Sequence, residues 1–150
     1  MRIAFDLDDT LVRTGSSLKT EPPPLGWLAN LVISEPLREG TSSLLKELKA
    51  QGWQIWVYTS SFRSRAMVRL NFLAYGIPLG GVVNQDVHDQ TMEKMGKKLL
   101  KYPPAFGIDL LVDDSVAVYD EGRTEGYEVV LIDPSDPEWC ERVRRACARR

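Results

Sequence analysis

Short apolar runs, bounded by Gly, Asp or Asn, recur along the chain and predict buried strands. Each run is nearly continuous in apolar character and does not alternate with polar residues, which is typical of strands covered on both faces of a parallel sheet. Four runs are strong, and the run at 80–83 is weaker. The runs are Ile3-Ala4-Phe5, Trp53 to Tyr58, Gly80-Gly81-Val82-Val83, Leu110-Leu111-Val112 and Val129 to Ile132.

Helical patterns lie between these runs. In 62–75 the apolar residues Met67, Leu70 and Leu73 recur at helical spacing, and Gly76 follows as a stop signal. Strands that alternate with helices predict an α/β domain with right-handed crossovers. The predicted helices cover 41–51, 62–75, 91–100, 115–121 and 137–150.

The segment 13–37 interrupts this alternation. It contains the run Pro22-Pro23-Pro24 and Trp27 but has weak periodicity, so we expect a small insertion or long loop. We place Trp27 either over the entrance of a site or in the core. A chain of 150 residues otherwise predicts a single domain, 1–150.

Composition and charge exclude several classes of protein. Lys and Arg number 19 and Asp and Glu number 21, so the net charge of −2 argues against an overall basic nucleic-acid binder. Charged residues make up 27% and hydrophobic residues 43%, which argues against global disorder. His88 is the one histidine, so a zinc site with several His ligands is excluded, and its polar surroundings predict a surface loop.

The cysteines and the opening residues bear on location. Cys140 and Cys147 lie seven residues apart on a predicted helix, a separation of about 10 Å that is too long for a disulfide. We therefore expect two buried thiols in a reducing compartment. The apolar stretch at 1–5 is too short for a signal-peptide core, and the uncharged run at 22–34 contains prolines. We expect a cytoplasmic protein without a membrane span.

Acidic and hydroxyl residues follow three of the predicted strands. Asp6 and Asp8 come after the first, Thr59 after the second, and Asp113 and Asp114 after the fourth. The carboxyl ends of parallel strands meet at one edge of a sheet, where ligands bind. Carboxylates gathered there cannot all stay ionised without a cation, and hard oxygen ligands suit Mg²⁺. The order of residues after Asp6 does not fit a calcium-binding loop, which needs Gly and Glu at fixed positions.

These strand ends resemble the motifs of the haloacid dehalogenase (HAD) superfamily of phosphohydrolases. Its first motif, an apolar strand followed by Asp-x-Asp-x-Thr, is matched in full by Ile3 to Val12. Its second, an apolar strand that ends in Thr or Ser, is matched at Thr59, and its fourth, a strand that ends in an acidic pair, at Asp113 and Asp114. The resemblance covers essentially the whole chain. The short insertion is similar to that of capless or minimally capped members.

The resemblance implies a fold and an activity. The fold is a three-layer αβα Rossmann-like domain with a mostly parallel five-stranded sheet in the order 5-4-1-2-3. The activity is Mg²⁺-dependent hydrolysis of a phosphomonoester through an aspartyl phosphate. The implied partner is a phosphorylated substrate whose identity the sequence leaves open.

The same resemblance assigns roles to individual residues. Asp6 is the expected nucleophile, and Asp8 the general acid and then base, with its backbone carbonyl also a metal ligand. Thr59 is expected to donate a hydrogen bond to a phosphoryl oxygen. Asp113 and Asp114 complete the metal site with Asp6 and Asp8, and we favour Asp114 as the direct ligand.

The family's third motif is a lysine ahead of the fourth strand, and here several lysines compete. Lys101 is favoured because Pro103 and Pro104 end any helix and hold it near the edge of the sheet. Lys97 and Lys98 are expected on the exposed face of a helix.

Two other functions remain open at this point. One is a HAD-fold binding or regulatory module with little turnover, and the other is a polynucleotide-end phosphatase. The second is supported by arginines that can grip a phosphate or a nucleic-acid backbone, although such residues more often lie on solvated helix faces. They are Arg63, Arg65, Arg142, Arg144, Arg145, Arg149 and Arg150.

Overall fold

Five short parallel strands form one sheet in this computed structural model, which describes residues 1–14, 18–22 and 35–150. The strands are β1 (Arg2–Phe5), β2 (Gln54–Tyr58), β3 (Gly81–Val83), β4 (Leu110–Asp113) and β5 (Val129–Leu131). Their order is β3-β2-β1-β4-β5, and every neighbouring pair is parallel. The predicted α/β class and strand order are confirmed.

The register of the sheet fixes which residues meet at its carboxyl edge. Phe5, at the end of β1, pairs with Val57 of β2 on one side and with Val112 of β4 on the other. The residues that follow these three positions therefore lie side by side at the carboxyl edge of the sheet. They include Asp6 and Asp113.

Helices cover both faces of the sheet, because successive residues of a strand point to opposite sides. In the described chain they are α1 (Thr41–Ala50), α2 (Arg65–Ala74), α3 (Gln85–Met95), α4 (Val116–Glu125) and α5 (Trp139–Ala148). Ile3 and Phe5 belong to a core cluster with residues of α1, α2 and α5. Ala4 belongs to a second cluster with residues of α3 and α4. The result is the expected three-layer arrangement.

The predicted range of the third helix overlaps the observed helix over only about half of its length. We expected 91–100, but α3 covers Gln85–Met95. Its start is fixed by Asn84, whose side chain accepts a hydrogen bond from the backbone N–H of Val87. Its end is fixed by Gly96, which adopts a φ of 64°. Lys97 and Lys98 therefore follow the helix, and their predicted place on a helix face was wrong.

The apolar stripe expected on the second helix faces solvent. Met67, Leu70 and Leu73 are 48%, 43% and 57% exposed. The helix instead buries Val68 and Phe72, which join the core cluster against the sheet. Apolar residues lie on two faces of this helix, so the spacing alone did not identify the buried one.

The segment 13–37 is only partly within the described residues. Val12 pairs with Leu37 and Thr20 pairs with Arg38 as short antiparallel bridges, so the two ends of the segment lie beside each other. Trp27 and most of the proline run lie outside the described residues, so the prediction for Trp27 stays a prediction. Within the described ranges, no helix is both long enough and apolar enough to span a bilayer.

Candidate active site

Three carboxylates gather at the carboxyl ends of the neighbouring strands β1 and β4. Asp6 follows β1, Asp113 ends β4 and Asp114 comes next, and one oxygen from each lies within 4.8 Å of the others. Asp6 is 7% exposed and Asp113 is 1% exposed, whereas Asp114 is half-buried. The structure therefore brings together the ends of the first and fourth motifs.

Lys101 reaches into this cluster from the loop before β4. Its Nζ donates to Asp6 Oδ1 at 2.6 Å, to Asp113 Oδ2 at 2.6 Å and to the backbone carbonyl of Tyr58 at 2.9 Å. The lysine is 2% exposed. Lys97, by contrast, pairs with Glu125 at 2.9 Å, and Lys98 is exposed. Among the competing lysines, Lys101 is the one that the structure places against the carboxylates.

The charges of this cluster shift its protonation. Burial raises the pKa of Asp6 to about 7, against the opposing charge of Lys101. Burial, with a contribution from the charge of Asp113, also raises the pKa of Asp114. Burial alone lowers the pKa of Lys101, but the nearby carboxylates outweigh it and raise that pKa. Three carboxylates against one ammonium leave a net charge of −2 when all are ionised. These oxygen donors and this charge fit one divalent cation.

The first-motif turn holds the cluster together. The carbonyl of Leu7 accepts hydrogen bonds from the backbone N–H groups of Thr10, Leu11 and Val12, which reverses the chain after β1. Asp9 adopts a φ of 57° within this turn. Thr10 is buried and donates from its hydroxyl to Asp114 Oδ1 at 3.1 Å. The threonine of the first motif thus orients an acid of the fourth.

The carboxylate of Asp8 has different partners from those of the cluster. Arg63 donates to both of its oxygens, at 2.9 and 2.8 Å, and Thr14 donates at 2.8 Å. Arg63 also pairs with Glu35 at 2.7 Å. Burial by itself raises the pKa of Asp8, but the hydrogen bonds from Arg63 and Thr14 outweigh it and lower that pKa. Arg63 is thus an ion-pair partner of a candidate site residue.

Thr59 follows β2 and is fully buried. Its backbone N–H donates to the carbonyl of Val83 at 2.9 Å, which continues the pairing of β2 with β3. Its hydroxyl lies 3.1 Å from Ser61 Oγ. The structure places this hydroxyl at the same sheet edge as the carboxylates, one strand away from Asp6.

His88 was predicted on a surface loop, and this was wrong. It lies on α3, is 4% exposed, and its Nδ1 is 2.6 Å from the hydroxyl of Tyr58. Its polar sequence neighbours gave no signal of burial, because α3 buries only His88 and Met92. Tyr58 was likewise treated only as part of a strand, although its backbone carbonyl contacts Lys101.

Two arginines of α5 and the two that follow this helix pair with acidic side chains. Arg142 contacts Asp136, and Arg144 contacts both Glu47 and Glu141. Arg149 and Arg150 lie against Glu128. Much of the positive charge on this helix is therefore balanced locally.

The cysteines of the last helix are both free thiols. Cys147 is buried as expected, whereas Cys140 is only half-buried.

Comparisons with known proteins show a likeness in fold but no match in sequence. No family model and no curated protein matches the sequence. A chain of the Pnkp1/Rnl/Hen1 RNA repair complex is similar, with a TM-score of 0.56 and 17% identity over 88% of this chain. The alignment spans only 42% of that longer chain. A predicted HAD-like family hydrolase from Porphyromonas gingivalis is similar over 97% of both chains, with a TM-score of 0.55 and 13% identity. This chain therefore has the HAD-like fold.

Proposed function

We propose that this protein is a Mg²⁺-dependent phosphatase that hydrolyses a phosphomonoester through an aspartyl phosphate on Asp6. The observation that carries the proposal is the carboxylate cluster of Asp6, Asp113 and Asp114, with Lys101 against it. Its charge of −2 is matched by one divalent cation, and the similar HAD-like family hydrolase supports hydrolysis as the reaction class.

We choose the metal ligands from the hydrogen bonds that each carboxylate oxygen already accepts. Asp113 accepts from Lys101 with Oδ2 and from the backbone N–H of Ser115 with Oδ1. Asp114 is half-buried and is oriented by Thr10 through Oδ1. We therefore assign Asp6 and Asp114 as direct ligands and Asp113 as a ligand through water. The backbone carbonyl of Asp8 is the remaining protein ligand that we propose. When bound, the cation supplies positive charge that favours ionised Asp6 and neutralises the phosphoryl group.

The proposed reaction has two steps. In the first, a carboxylate oxygen of Asp6 forms a bond to phosphorus, the bond to the alcohol oxygen breaks, and Asp8 in its protonated form, which the hydrogen bonds from Arg63 disfavour, gives that oxygen a proton. In the second, water attacks phosphorus, Asp8 takes the proton, and the bond to Asp6 breaks to release inorganic phosphate. The hydrogen bonds from Arg63 favour the ionised form of Asp8, which is the form that the second step needs.

Other side chains stabilise charge in these steps. Lys101 balances the carboxylate of Asp6 and the incoming phosphate, which otherwise repel each other. Thr59 donates its hydroxyl to a phosphoryl oxygen. We also propose a cytoplasmic setting, which the free thiols of Cys140 and Cys147 support.

The test is a panel of phosphomonoesters assayed with Mg²⁺ and with EDTA. It contains an aryl phosphate, nucleoside monophosphates, sugar phosphates and an oligonucleotide with a 3′-phosphate. We expect turnover that EDTA stops and Mg²⁺ restores, and that Asp6→Asn abolishes. Asp120→Asn is the matched control, since Asp120 is exposed on α4.

The panel also separates the alternatives. Phosphate release from the oligonucleotide alone would indicate a polynucleotide-end phosphatase, and tight binding without release would indicate a binding module. Full activity of Asp6→Asn would contradict the proposal.

A further inference from the structure

The segment that carries Lys101 is held on one side by a chain of buried and partly buried hydrogen bonds through His88 and Tyr58. The Nε2 of His88 lies 2.9 Å from the backbone carbonyl of Leu99, and its Nδ1 lies 2.6 Å from the hydroxyl of Tyr58. That hydroxyl accepts from the backbone N–H of Tyr102 at 2.9 Å. A carbonyl only accepts, so Nε2 must carry the hydrogen that bonds Leu99. In the neutral ring Nδ1 then accepts, and the Tyr58 hydroxyl donates to it.

The opposite side of the same segment is held by Glu121 of α4 and by Tyr127, which lies two residues beyond the end of that helix. Glu121 accepts from the backbone N–H groups of Leu100 at 2.8 Å and Lys101 at 3.0 Å. The hydroxyl of Tyr127 lies 3.0 Å from the carbonyl of Lys101. Residues 97–102 belong to no helix or strand, so side chains supply bonds that regular structure supplies elsewhere.

Tyr58 contacts both the backbone of the segment that carries Lys101 and the Lys101 ammonium itself. Its hydroxyl binds the N–H of Tyr102, and its own carbonyl accepts from Lys101 Nζ at 2.9 Å. Its ring lies 5.6 Å from the same ammonium. Lys101 has a flexible stem, and fixing such a side chain costs conformational entropy. A rigid backbone on either side of Lys101 limits where its ammonium can go.

We infer that Tyr58 and His88 are positioning residues, which hold residues 99–102 so that the Lys101 ammonium meets Asp6 and the phosphate. The inference rests on the proposed function for the role of Lys101. The hydrogen-bond network does not depend on the proposed function, since it is built from buried and half-buried groups outside the carboxylate cluster.

The first experiment measures turnover of an aryl phosphate by Tyr58→Phe, which removes only the hydroxyl. We expect kcat to fall by about 10- to 100-fold, a loss as large as that caused by removing a residue that orients a metal-ligating side chain. KM should change far less, because Lys101 acts mainly on charge that develops during the reaction. Tyr119→Phe on α4 is the matched control and should keep the full rate. An unchanged kcat in folded Tyr58→Phe would overturn the inference.

A double-mutant cycle with orthovanadate, which can adopt the five-coordinate geometry of the reacting phosphorus, tests whether Tyr58 acts through Lys101. Calorimetry in Mg²⁺ should show weaker vanadate binding for Tyr58→Phe, and no further weakening when it is added to Lys101→Met. Equal weakening in both backgrounds would overturn the positioning role. If Tyr58→Phe does not fold, His88→Asn and His88→Ala replace it. Asn keeps an acceptor near the position of Nδ1, so His88→Asn should retain more binding than His88→Ala. Equal losses of binding in the two variants would contradict the inference.

Hydrogen exchange separates failure of this inference from failure of the proposed function. If the wild-type protein hydrolyses no phosphomonoester, the proposed phosphatase activity is refuted. Amide exchange still reports whether the Tyr58 hydroxyl holds the segment in that case. The amide of Tyr102 should exchange at least tenfold faster in Tyr58→Phe than in Tyr119→Phe. Equal exchange rates would show that the Tyr58 hydroxyl does not hold the segment.

Discussion

Replacing Lys101 with methionine tests whether its ammonium compensates the carboxylate cluster. Methionine keeps an unbranched side chain but removes the charge, which leaves Asp6 and Asp113 facing each other. Lys101, Asp6 and Asp113 have side chains that are 2%, 10% and 2% exposed, and the ammonium lies 2.6 Å from each carboxylate. Removing one partner of a buried ion pair costs about 3–5 kcal/mol. We expect Lys101→Met to lower the free energy of unfolding by about that amount at pH 8 without divalent cation.

The size of this loss should depend on pH and on Mg²⁺. The pKa of Asp6 is raised to about 7 even beside Lys101, so without the ammonium it should rise further. A pKa raised in the folded state stabilises the fold at low pH, and this contribution is lost as pH rises through the folded-state value. Lys101→Met should therefore regain stability between pH 8 and pH 5. Mg²⁺ at about 100 times its Kd should restore about 2.7 kcal/mol.

Urea denaturation followed by tryptophan fluorescence measures these changes, since Trp53 and Trp139 are buried. The matched control is Lys98→Met, because Lys98 is exposed and lies in the same loop. Equal unfolding free energies for the two variants at pH 8 in EDTA would refute the reasoning. A Lys101→Met variant whose unfolding free energy changes with neither pH nor Mg²⁺ would also refute it.

Three further predictions concern other contacts. In EDTA the wild-type protein should lose stability from about pH 4 to pH 7, because the folded-state pKa of Asp6 is raised from 3.8 to about 7, and a urea series at several pH values checks this. Arg63→Gln should raise the pKa of Asp8 and increase turnover of alkyl relative to aryl phosphates, whose leaving groups need less protonation; a carbon-13 NMR titration with an unchanged Asp8 pKa would contradict it. Gly81→Ala should destabilise the fold by about 1–3 kcal/mol, because the new Cβ would lie 2.2 Å from the ring of Trp56, and a melting temperature equal to wild type would argue against it.

The sheet and the carboxylate cluster were predictable because local sequence encodes them. A strand buried on both faces must be apolar throughout, so its first polar residue marks where it leaves the core. Asp6 and Asp113 stand at such positions. Parallel pairing then brings them to one edge, whatever the lengths of the helices between them.

The surroundings of the cluster were not predictable in the same way. The burial of His88 depends on how α3 docks on β3, and only two positions of that helix are buried. The pairing of Arg63 with Asp8 and Glu35 joins side chains from three distant segments, which no periodicity records. The Asn84 cap was the local signal that, if used, would have corrected the start of α3.

The cluster and the partners of Asp8 belong to parts of the molecule with different tolerance to change. Asp6 and Asp113 are fixed by β1 and β4, each of which pairs with a strand on both sides, so a backbone shift disturbs pairing on both sides. Arg63 and Glu35 lie on connecting segments near the surface, where substitution usually costs little. Variation at the Arg63 and Glu35 positions can therefore alter the surroundings of Asp8 without moving the backbone that holds Asp6 and Asp113 together.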